Sequence, residues 1–273
     1  QGLKALKFKP DILHSHDWQA ALIPAYRNFR FANDPFFQQA RTVLTIHNLA
    51  FQGVFPYEQY SQLNLDSSLF TTEGFEYYGK INLLKAGILY SDIVTTVSPR
   101  YAQEIQTREF GCGLDGVIRS RRKAVIGILN GIDYDIWNPR TDTHLETTYD
   151  ADDLEGKRAN KAALQKTLGF EVKPEIPLFG FVGRLTHQKG VDLLLDALPS
   201  LTDVPWQIVI LGEGDGAVGE KLKAAARKMP KRLTVQFEFN EDTAHRIYAG
   251  SDLLLMPSAF EPCGLSQMIS LRY

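Results

Sequence analysis

Short apolar runs rich in β-branched residues alternate along the chain with longer segments whose apolar positions recur at helical spacing. In the first half DILHSH at 11–16, TVLTIHN at 42–48, DIVTTVS at 92–98 and AVIGILNG at 124–131 read as strands. Between them Trp18–Phe31 and Lys80–Tyr90 read as helices, and Pro99 opens another at a favoured first-turn position. The second half repeats the rhythm: PLFGFVG, a helix from Lys189, WQIVILG, a helix near Gly219–Met229, LTVQFEF, a helix through His245, then DLLLMPS. Strands this apolar, each followed by a helix, predict parallel sheets covered on both faces. After NGIDYDIWNPRTD a polar, proline-bearing loop and an acidic run separate the two alternations, and Lys157–Leu168 reads as a helix early in the second. The expected fold is α/β: two doubly wound, Rossmann-like domains, 1–129 and 130–273, facing a cleft at their strand C-termini.

Composition narrows the chemistry. The 273 residues are 44% hydrophobic and 23% charged, ordinary for a globular chain. With 30 basic against 32 acidic side chains there is no global footprint for nucleic acid or an anionic membrane, so any anion site must be local. Cys112 and Cys263 lie far apart and show no metal-ligand spacing, which points to a reducing compartment rather than a disulfide scaffold. No apolar run is long enough to span a bilayer and no signal segment opens the chain, so a soluble, intracellular protein is expected.

Local anion chemistry is concentrated in FVGRLTHQKGVDLLL. Gly183 ends a strand, Arg184 follows, and Lys189 stands where the next helix is expected. Backbone N–H groups at a helix start favour anions, glycine admits a ligand to the backbone, and arginine and lysine add a fork and a point charge. Together they suit a diphosphate, although both side chains could equally be solvated loop charges. MPSAFEPCGLSQ repeats the arrangement after a later strand: Glu261 can accept sugar hydroxyls and Ser266 can meet a phosphate, or Pro262 and Gly264 simply make a turn capped by the acid. In HSHDW, His16 can donate to a sugar hydroxyl or be a structural histidine beside an Asp17 N-cap. His47, Asn48 and Gln52 of TIHNLAFQG suit a polyhydroxylated ligand, though an asparagine there also forms turns.

HSHDW, TIHNLAFQG, YYGKINLLKAGILYSDIVTTVSPRYAQEI, FGCGLDGV, ILNGIDYDIWNP, GRLTHQKGVDLLL and PSAFEPCGLSQ, in this order, resemble the bacterial glycogen synthases and plant-type starch synthases. The resemblance implies a two-domain (GT-B type) retaining glucosyltransferase that moves glucose from ADP-glucose to the non-reducing end of an α-1,4-glucan. By position it implies that Arg184 and Lys189 hold the donor diphosphate, that Ser266 touches the distal phosphate, and that Glu261 contacts the transferred glucose. It implies His16 near the glucose 6-hydroxyl, Asn130 reaching the sugar, Phe239 against adenine, and Gly183, Cys263, Gly264 and Leu265 within the donor site. Cys263 has no neighbouring base to make it a nucleophile. His47, Asn48 and Gln52 look like acceptor-side residues.

No cofactor is implied beyond ADP-glucose as co-substrate, and no metal: fixed cations stabilise the leaving diphosphate, and no DxD-like pair stands at a strand end. Related retaining transferases often carry a second glutamate eight positions after the first; here that position is Ile269. The family's lysine-glycine-glycine loop has no counterpart before Gln1 and its segment after RY is absent, so a fragment of a longer enzyme is expected, unstable or inactive alone. The alternatives are a related transferase using UDP-glucose and a non-catalytic glucan-binding or assembly fragment. The resemblance leaves open glycogen or starch as product, and accordingly bacterial cytoplasm or plastid stroma and starch granule.

Overall fold

The computed structural model describes every residue except Gln1, Thr202, Asp215 and Phe239. The chain divides into two compact units, Gln1–Asn130 and Gly131–Tyr273, one residue later than the expected division.

In the first unit β1 (Ile12–His16), β2 (Arg41–Ile46), β6 (Ile93–Thr96) and β7 (Val125–Gly127) form a parallel sheet in the order β1-β2-β6-β7. A second sheet, β3 (Val54–Pro56), β4 (Glu76–Tyr77) and β5 (Lys80–Asn82), is antiparallel with order β3-β5-β4. The expected helix at Lys80–Tyr90 is therefore shorter: Lys80–Asn82 pairs as a strand, and Asn82 caps a helix over Leu83–Tyr90 by accepting from the Lys85 N–H. The β4–β5 hairpin turns through Tyr78 and Gly79, both at positive φ, as a tight two-residue turn requires. The helix expected over Trp18–Phe31 is also broken up. Helical turns Asp17–Ala20 and Leu22–Ala25 are followed by a π-turn Tyr26–Arg30, because Pro24 removes a donor and crowds the preceding turn. Pro99 begins a helix as expected, with Ser98 as its N-cap.

The second unit carries β8 (Leu178–Val182), β9 (Gln207–Leu211), β10 (Leu233–Gln236) and β11 (Leu253–Leu254), all parallel, in the order β10-β9-β8-β11. Side chains alternate between two cores. Val209 and Leu211 pack with Leu164, Ile247, Tyr248 and Ile269 on one face, while Ile208 and Ile210 pack with Val191, Leu194 and Leu222 on the other. Helices thus cover both faces. Chain order reverses between β8 and β11, and loops leaving the carboxyl ends of strands at such a switch point form the ligand crevice of doubly wound sheets.

Candidate functional site

At this switch point the two motifs of the second unit meet. The loop after β8 is drawn alongside the loop after β9 by a bridge between Leu185 and Gly214. Both neighbours must be glycine: a Cβ at Gly212 would sit 1.8 Å from the Gly183 carbonyl oxygen, and one at Gly214 2.2 Å from that of Leu185. Lys189 is not the first residue of a helix, as expected, but the last of a 3-10 turn, His187–Lys189. Gly190 follows at φ +69° and the helix begins at Val191. A Cβ on Gly190 would lie 2.0 Å from the Pro257 carbonyl oxygen, so the lysine-glycine pair permits both the left-handed bend and the approach of the segment after β11. That segment is pinned by the Ala259 N–H donating to the Gln188 carbonyl at 2.9 Å.

These contacts bring Lys189 onto Glu261. The ammonium donates to Oε1 at 2.6 Å and the Ser258 hydroxyl donates to the same oxygen at 2.6 Å. Both bonds fall on the one oxygen, Oε1. The pair is mostly buried, 20% and 19% exposed at the side chains. Arg184 is exposed; its carbonyl accepts from the Thr186 N–H at 3.0 Å, and its guanidinium forms no ion pair among the described residues. Gly264, at φ +84°, caps the helix Leu265–Arg272, which carries Ser266 in its first turn; the Ser266 hydroxyl donates to the Val182 carbonyl at 3.2 Å. Gly183 closes β8 by donating to the Leu211 carbonyl, and Cys263 is a free, half-buried thiol beside Gly264. Leu265 is exposed. Ile269 is buried in the core. Phe239 lies outside the described residues.

In the first unit His16 and His47 stand at the carboxyl ends of adjacent strands, with His16 in register with Thr45. His16 Nδ1 and His47 Nε2 are 2.9 Å apart and share a hydrogen bond. Asp17 does not cap its helix; its carboxylate accepts the His47 N–H at 2.8 Å, and its φ of +52° is a strained value for a non-glycine residue. Asn48 acts as a turn former, accepting the Ala50 N–H at 3.0 Å. Gln52 is buried, its amide donating to the Cys112 carbonyl and accepting from Asn82 Nδ2, so part of its capacity is spent internally rather than on a ligand. Beside it an open groove of about 570 Å³ is lined by Trp18, Phe51, Gln52 and Phe55. Asn130 is half-buried at the end of the unit.

Two features escaped the sequence reading. His14 stacks on His16 at 4.4 Å and bonds Thr45 Oγ1 at 2.7 Å; the HSH spacing, two residues apart on a strand, puts both rings on one face. In the second unit His245 Nδ1 bonds Asp142 at 2.6 Å, Tyr273 donates to the same carboxylate oxygen, and Trp137 stacks on His245 at 4.1 Å. Among the described residues Asp142, His144 and His245 are the one group whose ligand-type atoms gather within 4.8 Å, and Asp142 and His245 are already bonded to each other. Burial pushes the Asp142 carboxyl up, but bonds from Tyr273, the His144 N–H and His245 outweigh it and hold it below its ordinary value.

Comparison with known proteins gives this geometry a family. The starch synthase catalytic domain model matches residues 1–120, and the glycosyl transferases group 1 model matches residues 166–268. The chain is 50% identical over 273 residues to glycogen synthase 2 of Geobacter sulfurreducens and 48% identical over 271 residues to glycogen synthase of Thermotoga maritima. It covers 100% and 99% of itself in these matches but 56% of each relative, so it spans about half their length. Among solved structures, the catalytic domain of starch synthase IV from Arabidopsis thaliana, bound to ADP and acarbose, superposes with a TM-score of 0.92 at 38% identity, over 99% of this chain and 56% of that one. Sucrose-phosphate synthase from Thermosynechococcus elongatus, at 16% identity and a TM-score of 0.58, shares the fold alone. The fold is thus the α/β, GT-B type. Within that class, the chain belongs to the family of bacterial glycogen synthases and plant-type starch synthases.

Proposed function

We propose that the protein is a retaining glucosyltransferase that moves glucose from ADP-glucose to the non-reducing end of an α-1,4-glucan. The observation that carries this reading is the contact between Lys189 and Glu261 at the switch point. A nucleotide sugar joins a diphosphate to a glucose through one oxygen, so a cation for the phosphate and a carboxylate for the sugar must stand within a few ångströms of each other. The 2.6 Å approach meets that demand, and exposed Arg184 adds a second cation.

Breaking the anomeric bond leaves negative charge on the diphosphate and positive character on the sugar. Lys189 and Arg184 stabilise the former without a metal, aided by N–H groups at the start of the Leu265–Arg272 helix near Ser266. Glu261 stabilises the latter and orients the ring, and His16 donates to a glucose hydroxyl. Asn130, His47, Asn48 and the aromatic groove around Trp18 and Phe51 serve the sugar and the acceptor glucan. The contact of Phe239 with adenine that the resemblance implies is kept as part of this proposal, the residue lying outside the described ones. The bacterial relatives favour the cytoplasm as the site of action.

The test is incubation of the full-length protein with labelled ADP-glucose or UDP-glucose and a maltooligosaccharide primer, with chelator present and absent. Incorporation from ADP-glucose into α-1,4 linkages, indifferent to chelator, is expected. Preference for UDP-glucose overturns the donor assignment, and primer binding without turnover overturns the catalytic one.

A further inference from the structure

The paired imidazoles of the first unit carry an inference about the state in which His16 works, resting on the reading that His16 meets the sugar. His16 is fixed on two sides. Its Nδ1 lies 2.9 Å from His47 Nε2, and its ring is stacked at 4.4 Å on His14, which is itself anchored through Nε2 to Thr45 Oγ1 at 2.7 Å and onward to Thr95 Oγ1 at 2.6 Å. His47 is held in turn by its backbone N–H on the carboxylate of Asp17, the left-handed residue that follows β1. Only Nε2 of His16 is left to face a ligand.

A hydrogen bond between two imidazole nitrogens contains one proton. If His16 supplied it, His16 would present a bare lone pair at Nε2 and could only accept. If His47 supplies it, both rings carry their proton on Nε2, the tautomer a free imidazole side chain favours in water, and His16 presents an N–H. We propose that His47 is a positioning residue: it donates from Nε2 to His16 Nδ1 and so holds His16 as the neutral Nε2–H tautomer, a donor to an oxygen of the bound sugar. A second proton on His16 would have to occupy Nδ1, and the bond would survive only if His47 moved its own proton from Nε2 to Nδ1 and became the acceptor. The titratable groups around His16 are His14 on its own strand, His47 after β2 and Asp17. Burial, then His14 and His47, lower the His16 pKa, and Asp17 opposes them, so the net direction favours the neutral ring.

The test uses full-length protein labelled with ¹⁵N-histidine, in the wild type and in His47→Phe and His47→Gln. Long-range ¹H–¹⁵N spectra report the His16 tautomer, and kinetics report the pH dependence of kcat. In the wild type His16 is expected to be protonated on Nε2. In His47→Phe the tautomers mix, the His16 midpoint and the acidic limb of kcat move to higher pH, and kcat falls about tenfold with KM for the nucleotide sugar within twofold; His47→Gln, which keeps an N–H near the Nε2 position, restores most of the rate. A wild-type His16 protonated on Nδ1, or an identical tautomer and midpoint in His47→Phe, overturns the proposal. The wild-type spectrum decides the matter even if His47→Phe fails to fold. Unchanged turnover in His16→Ala would instead overturn the role of His16 in the reaction, leaving the pairing itself to the spectra.

Discussion

Removal of the Lys189 ammonium is expected to cost far more in catalysis than in stability. On the proposed function, the transition state in Lys189→Ala loses one fixed donor aimed at the departing diphosphate, and losses of this kind are about 2.7–4 kcal/mol, or 10²–10³ in kcat. The cost to folding is smaller. The pair is one-fifth exposed at each side chain and Glu261 keeps its bond from Ser258, so the loss lies between that of an exposed ion pair, about 0–1 kcal/mol, and that of a broken buried one, about 3–5 kcal/mol. A value near ~1–2 kcal/mol shifts Tm by roughly 2–8 °C in a domain of this size. Initial rates of glucose transfer at 25 °C, well below the transition, should therefore fall at least a hundredfold while the melting curve stays cooperative. Lys189→Arg keeps the charge but spreads it over a wider, planar group, and should recover only part of the rate. A Lys189→Ala protein that is folded and within threefold of the wild-type kcat would refute the assignment of this lysine to the leaving group.

Three further outcomes follow from the same geometry. Arg184→Ala, at an exposed side chain without protein partners among the described residues, should lose about 10² in kcat with Tm within roughly 1 °C of wild type, as seen by differential scanning fluorimetry. Gly190→Ala forces a Cβ into a left-handed bend against the Pro257 carbonyl and should cost about 1–3 kcal/mol in urea unfolding as well as turnover, because the displaced loop carries Lys189. The Asp142 carboxyl is held below its ordinary value in the folded protein, so its ionised form adds stability that is fully present above the unfolded value of 3.8 and is lost as pH falls through the lower, folded value. Urea midpoints measured across the acidic range should therefore decline more steeply in the wild type than in Asp142→Asn, and equal slopes would remove Asp142 from the linkage.

What could be read from the sequence divides by distance along the chain. Parallel strands announce themselves as apolar, β-branched runs even where, as in β1, β7 and β11, they are only partly buried, so β1, β2 and β6 to β11 were all legible, with ends shifted by one to a few residues. The three-stranded antiparallel sheet was not, because β3 to β5 are two or three residues long and Lys80–Asn82 runs directly into a helix that masks it. Pro24 was visible, but the π-turn it precedes has no local signature. The site divides the same way. Gly183 and Gly190 punctuate a strand and a turn and carry local meaning, whereas the contacts Lys189–Glu261, His16–His47 and His245–Asp142 join residues 72, 31 and 103 apart. No periodicity encodes such pairs; only the family resemblance suggested the first, and the other two came from the fold.

The arrangement around Glu261 bears on how configuration would be retained. A covalent route needs a carboxylate free to attack the anomeric carbon, and retaining hydrolases pair that nucleophile with a second carboxyl about 5–5.5 Å away. Here Oε1 accepts from both Lys189 and Ser258, bonds that engage its lone pairs and blunt it as a nucleophile. The position eight residues on is Ile269, a buried core side chain with no carboxylate to offer. With one restrained acid and no carboxylate eight positions on, the proposed reaction has the acceptor hydroxyl attack on the same face that the diphosphate leaves, giving its proton to a phosphate oxygen held by Arg184 and Lys189. Denaturing mass spectrometry of protein quenched during turnover should then find unmodified chain, and a glucosyl ester on Glu261 or on any other carboxylate would establish the two-step route in its place.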